Sequence, residues 1–344
     1  FDTVEFLPGD LPAGLTLLFA KATTAVKEWP AADDLRRLLA PLAAAEDSLD
    51  TKAGRAFRHA LFGEHPYARM LNTADVDKLS HSDVDTWIGR VHNLRNAALV
   101  VVGDVNPEDV ERGATLLSSR APGWVAELPT PAPPAIRAAS AEHVTPVISD
   151  RPGSLMEIRV GCLLPQMTLA DRGHYELLRS AIDARLNTAL RVEQGDGYGV
   201  NVGYERLRGG TTYLAISTFV DGQQLADSLG VLRRHWQRWA HAGFEASELN
   251  VARWLYAEAL PIASGNGNAL AFELLRAWNV EPKGPPGDSL RPEIGGLRAE
   301  RVNELFAACK ANTVLGLTGN EVVIRKALED AWPGLGSRAR AVAP

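Results

Sequence analysis

One order of elements occurs twice in this chain, and it restricts the fold more than any other feature. In the first copy, Ser80 stands where its hydroxyl can cap a helix running through Val91 by accepting the free N–H of Asp83. The run Ala97-Ala-Leu-Val-Val-Val102 follows, and Gly103-Asp104 ends it. A short continuous Val-rich run bounded by breakers predicts a buried central strand. Pro107 then opens the next helix, where its missing N–H costs nothing. In the second copy, Leu297 to Cys309 reads as a helix and Asn312 to Leu317 as an apolar run. Gly319-Asn320 breaks that run, and a helix resumes through Ala331. Leu79 and Val84 share the spacing of Leu297 and Val302, and Asn96 and Asn312 each precede the apolar run. A repeat this long is no solenoid unit; it predicts two related α/β halves.

The segment Glu127-Leu-Pro-Thr-Pro-Ala-Pro-Pro134 separates them. Four prolines in six residues continue neither a helix nor a central strand, so an extended linker is expected. The predicted organisation is a first domain over 1–127, a linker over 128–140 and a second domain over 141–344. Within the first half, Leu35 to Leu61 predicts two helices broken near Ser48-Leu-Asp50. In the second, the alternation around Leu155 to Val160 predicts a half-buried strand, and a helix is expected from about Ala170 to Val192. Thr211 to Val220 predicts a strand, Gln224 to Ala242 and Glu245 to Tyr256 helices, and Glu281 to Asp288 a loop.

Charge and cysteine content narrow the function classes. Lys and Arg number 36 against 42 Asp and Glu, a formal charge of −6, which argues against nucleic acid or an anionic membrane as partner. Cys162 and Cys309 are the only cysteines, too few for a disulfide framework or a four-cysteine zinc site. Such sparing use fits a reducing, cytoplasmic setting, and Cys162 in its apolar strand predicts inert packing. No uncharged apolar run is long enough for an ordinary membrane span. The opening Phe-Asp-Thr-Val has neither a start Met nor a signal-peptide pattern, so the chain is expected to begin partway through a longer gene product.

Complete catalytic sets are absent from the sequence. No His-x-x-x-His pair occurs, and His59 and His65 flank Glu64 at a spacing that points them to different helix faces. His235 and His241 repeat that spacing among tryptophans, so these read as packing or surface histidines. There is neither a Gly-x-Ser-x-Gly elbow nor a phosphate loop. One constellation stands out: Arg185-Leu-Asn-Thr-Ala-Leu-Arg191-Val-Glu-Gln-Gly195-Asp-Gly-Tyr198. A helix ends near Arg191, glycines turn the chain and Tyr198 opens a strand. On residues alone, this reads first as a helix C-terminus whose Arg complements the dipole over a packing Tyr, and only second as a functional pair.

That segment resembles the second-domain pattern of the pitrilysin/insulinase-like zinc metallopeptidases, the inverted zincins that include mitochondrial processing peptidase. Arg191, Gly195 and Tyr198 fall on the family pattern with its seven-residue step from Arg to Tyr. Asp150-Arg-Pro-Gly-Ser is similar to the start of the family's second domain, and Gly243-Phe-Glu-Ala-Ser-Glu-Leu249 to the turn before its long helix. Leu61-Phe-Gly-Glu-His-Pro-Tyr67 and Asn96-Ala-Ala-Leu-Val-Val-Val-Gly-Asp104 resemble first-domain landmarks. Two departures accompany the likeness. The family's His-x-x-Glu-His motif would lie upstream of Phe1. Its third ligand would fall near Leu39-Ala40-Pro41-Leu42, which holds no carboxylate; Glu46, the nearest, aligns better with a following acidic turn.

The resemblance implies an α+β fold: two homologous α/β sandwich domains, each a mostly antiparallel sheet packed with helices. It further implies a metal-free subunit with no cofactor of its own, paired as a heterodimer with a zinc-binding homologous subunit. Arg191 and Tyr198 would bind an extended peptide and stabilise the transition state in the partner's active site. The strand Thr211 to Ser217 is a weaker candidate for a substrate-facing sheet. Two alternatives stay open: a self-sufficient zinc endopeptidase whose metal motif lies outside the chain, and a catalytically silent scaffold.

Overall fold

The computed structural model describes residues 4–6, 8–24, 32–45, 48–91, 97–119, 136, 145–168, 170–193, 199–207, 210–280 and 294–341. In chain order the helices are α1 (Leu11–Thr24), α2 (Ala32–Ala44), α3 (Leu49–Phe62), α4 (Thr73–Asp77), α5 (His81–Val91) and α6 (Pro107–Ser119). Strands β1 (Thr145–Asp150) and β2 (Leu155–Leu164) precede α7 (Arg172–Leu186). Strands β3 (Val200–Arg206) and β4 (Thr212–Asp221) precede α8 (Leu225–Ala242), α9 (Ala246–Gly265) and α10 (Gly267–Val280). The chain closes with α11 (Ala299–Ala307), β5 (Val314–Gly319), α12 (Glu321–Ala331), α13 (Leu335–Arg338) and β6 (Arg340–Ala341).

Two compact units emerge, and neither is continuous in sequence. One comprises Phe1–Ala44, Leu71–Pro131 and Ile262–Pro286; the other comprises Ala45–Met70, Ala132–Pro261 and Gly287–Pro344. Helix α3, from the first half of the chain, therefore belongs to the unit built on the second half's sheet. The Pro-rich segment 127–134 and the expected loop over 281–288 lie outside the described residues.

In the first unit, the cap predicted at Ser80 forms. The Asp83 N–H donates to Ser80 Oγ (3.2 Å), and the Ser80 N–H donates back to the Asp83 carboxylate (2.9 Å). Asn106 likewise accepts from the Glu108 N–H at the start of α6 (3.0 Å). The strand expected over Ala97–Val102 does not form. Among the described residues no strand lies beside it, so its backbone has no ladder to join. Val101 instead packs with Leu11 and Leu15 of α1, while Leu99 stays exposed. Its counterpart β5 is buried throughout because β1 and β2 flank it on either side.

The second unit is an α/β sandwich on a six-stranded sheet of order β3-β4-β2-β5-β1-β6. Pairings β3–β4, β4–β2 and β2–β5 are antiparallel, and β5–β1 and β1–β6 are parallel. Met156, Ile158, Val160 and Cys162 of β2 face a large core shared with α7, α8, α11 and α12. Helix α3 covers the opposite face. Ser48 caps it, accepting from the Thr51 N–H (3.1 Å). Its Phe57 is received by glycines: a Cβ on Gly161 would stand 2.7 Å from the Phe57 ring and 2.0 Å from the Leu214 carbonyl oxygen.

The two faces of the sheet each correct a reading. The alternation of β2 predicts one solvated face, yet Glu157 is 0% exposed. Its carboxylate survives there because Arg159 Nε donates to it (2.7 Å) and Arg159 also binds Asp50 of α3. Burial still pushes the Glu157 pKa up against the pull of Arg159. Cys162 is not a lone packing thiol: it forms a disulfide with Cys309, across a separation of 147 residues in sequence. Disulfides persist in oxidising compartments, so the cysteines no longer support a reducing one. No helix among the described residues is long and apolar enough to cross a membrane.

Candidate functional site

Helix α7 carries the core of the second unit and delivers the Arg191 segment. Its inward residues Leu177, Leu178, Ala181, Ile182 and Leu186 are buried. The expected helix to Val192 changes pitch at its end: Asn187–Glu193 is a π-helical turn. Such widened turns occur mostly as short insertions, frequently at functional sites. Ala189 and Leu190 anchor this one in the core, which turns Arg191 and Val192 outward; Val192 is 76% exposed. Arg191 is exposed and makes no hydrogen bond or ion pair among the described residues.

The return of the chain is pinned at the base of this turn. Asn187 Oδ1 accepts from the Val200 N–H (3.0 Å), and its Nδ2 donates to the Val200 carbonyl (3.3 Å). The same Nδ2 reaches the Asp183 carbonyl (3.1 Å) and carboxylate (3.2 Å). Burial raises the Asp183 pKa, with Arg179 opposing it. Gly199 has φ +104°, a conformation that suits glycine, and its carbonyl accepts from Thr218 Oγ1 (2.9 Å). Tyr198 lies outside the described residues; it is joined directly to this anchored Gly199. Asn187 and Thr218 are site residues that the sequence reading passed over. A polar amide inside the apolar Leu186–Leu190 stretch was the available signal for Asn187.

Strand β3, which follows, is an edge strand of the sheet. Tyr204 Oη donates to Glu176 Oε1 of α7 (2.8 Å), holding the strand against the helix. The weaker candidate strand, β4, lies one place in, paired on both sides by β3 and β2.

His65 and His174 take structural roles. His65 Nδ1 accepts from the Tyr67 N–H (3.1 Å), capping the 3-10 turn Pro66–Ala68, while His59 is exposed on α3. His174 Nε2 accepts from the Arg298 N–H (3.2 Å) at the start of α11. Among the described residues no group of three His, Cys, Asp or Glu could hold a metal ion. Glu46 lies outside the described residues.

His235, beside Trp239 on α8, is held in its neutral form by its surroundings. Burial, with Arg185 and Arg238 nearby, depresses its pKa from 6.5 to about 4. Between those values the unfolded chain binds a proton that the native state refuses, so stability falls as pH drops through that window. His174 is shifted in the same direction by burial. Replacing His235 with Gln is expected to flatten this acid limb, measured by urea titration at a series of pH values; an unchanged slope contradicts the assignment.

The helices on one face, the single helix on the other and the mixed six-stranded sheet define an α/β sandwich. A sequence model described as the peptidase M16 inactive domain matches residues 78–256, more than half of the chain. The chain belongs to the peptidase M16 family. Among solved structures it is similar to a peptidase M16 inactive domain from Pseudomonas fluorescens (18% identity, 89% of this chain and 74% of that one, TM-score 0.73). A protease from Helicobacter pylori is similar over 90% of this chain and 77% of its own (13% identity, TM-score 0.71). A chain of complex III2 from Candida albicans matches over 97% and 82% (14% identity, TM-score 0.72). At these identities the likeness concerns the fold. A search of curated proteins gives no match.

Proposed function

We propose that this chain is the non-zinc-binding subunit of a two-chain M16 peptidase, and that Arg191 and Tyr198 complete the active site of a zinc-binding homologous partner. The observation that carries the reading is Arg191 itself: an exposed guanidinium without a partner among the described residues, set on a π-turn that the core anchors from below. A solvated Arg spends little on holding such a position, whereas a fixed fork aimed outward suits a peptide carbonyl or the oxyanion formed on it. Tyr198 would add a second donor. The edge strand β3 begins two residues later, and an extended peptide can extend the sheet there through main-chain hydrogen bonds.

The test is reconstitution. The purified chain is mixed with a zinc-binding family member encoded beside its gene, and cleavage of a quenched-fluorescence peptide pool is followed. Cleavage is expected only from the mixture, and removal of zinc from the partner with a chelator is expected to abolish it. A stable pair that gains no cleavage favours the scaffold role instead.

A further inference from the structure

Asparagine 187 has a second consequence, which rests on the peptide-binding reading above. In a strand, the N–H and C=O of one residue point to the same side and those of its neighbours to the other. Asn187 takes both groups of Val200, so these face away from β4, toward the open side of the sheet. By the same alternation, Val202 faces that side too. Among the described residues no strand lies beyond β3. The carboxamide of Asn187 thus occupies the place that a residue of an added strand would take opposite Val200, giving one acceptor and one donor as a peptide unit does.

The same device operates inside the sheet. The β2–β5 ladder ends at Gly161 opposite Val314. One step further, Asn312 Oδ1 accepts from the Leu163 N–H (2.5 Å) and its Nδ2 donates to the Leu163 carbonyl (3.3 Å). There a side-chain amide continues a ladder where the strand itself has stopped.

We infer that Asn187 is a positioning residue that sets the register of the bound peptide. By filling the Val200 position, it makes Val202 the first edge residue open to an incoming backbone. It also closes the base of the segment bearing Arg191 and Tyr198, so one amide ties the start of the peptide-pairing edge to the residues that meet its carbonyl.

Main-chain pairing tolerates many sequences, so a peptic digest of casein serves as the probe. Amide exchange of the full chain is read residue by residue by NMR, with and without the digest. In the native protein, the Val200 amide is expected to be protected at all times and the Val202 amide only when peptide is present. Asn187→Leu keeps the shape but neither hydrogen bond. It is expected to speed exchange of Val200 by about tenfold and to let peptide protect Val200 as well, a one-step slide of the register. Asn187→Asp keeps the acceptor but sets its second oxygen against the Val200 carbonyl and the Asp183 carboxylate, so it is expected to speed Val200 exchange less than Asn187→Leu and to leave that amide slower than the open-edge amide of Val202. That second variant tests the contact even if Asn187→Leu misfolds. Unchanged Val200 exchange in Asn187→Leu, or acceleration equal to it in Asn187→Asp, overturns the inference. So does peptide protection of the same amides with and without Asn187. If peptide protects no β3 amide in the native protein, the peptide-binding reading itself falls, and the register assignment with it.

Discussion

Arg191→Ala is expected to lower kcat of the reconstituted peptidase by about 100- to 1000-fold, the loss typical of removing one donor to a developing oxyanion. KM should change far less. A donor that met only the ground-state carbonyl would raise KM and leave kcat alone, so the split between the two constants identifies the step. Arg191→Lys tests the geometry: the charge stays, but the planar fork does not, and only partial recovery is expected. Folding offers no competing explanation, because Arg191 is exposed and holds no partner among the described residues. The variant should therefore melt within about 0.5 kcal/mol of the native protein. Tyr198→Phe removes one hydroxyl and should reduce kcat in the same direction. If kcat is unchanged in both variants while the pair still cleaves peptide, the residues have no part in catalysis.

How much of this could be read beforehand differs between the two units for a physical reason. In the second, local pattern and tertiary surroundings agree. Thr212–Asp221, Leu225–Ala242 and Glu321–Ala331 form where periodicity and breakers place them, because each finds the neighbour its apolar face requires. Ala97–Val102 carries as strong a strand pattern as Val314–Gly319, yet a strand is a property of a pair. With no ladder beside it among the described residues, the run settles its valine on α1. Glu157 was misjudged for the same kind of reason. Alternation reports that one face of β2 is polar; it does not report that α3, more than 90 residues earlier, closes over that face and brings Asp50 to Arg159. The disulfide is equally non-local, since nothing in the sequence near Cys162 announces Cys309. At the candidate site, the spacing of Arg191, Gly195 and Tyr198 was legible as a family pattern. The role of Asn187 was not, because it depends on where the backbone of Val200 arrives.

The exchange of α3 into the second unit makes a strong prediction about stability. Phe57→Ala should destabilise that unit by about 3–5 kcal/mol, the range for deleting a large side chain from a core. The upper part of the range is expected because the site has little means of collapsing. Phe57 is 1% exposed, and the surfaces that receive it are the backbones of Gly161 and Gly316. Glycines in a sheet paired on both sides have no side chains to fall into the space, and the Leu214 carbonyl beneath Gly161 belongs to the next strand. Loss of this contact also loosens the helix whose Asp50 holds Arg159, and through it the fully buried carboxylate of Glu157. A buried charge with weakened pairing adds its own cost. Thermal unfolding of Phe57→Ala, with Leu17→Ala as an exposed-site control in the other unit, measures this directly. A loss below about 1 kcal/mol at Phe57 shows that the sheet does not depend on the helix laid across it, because a wedge seated between glycines cannot be removed that cheaply.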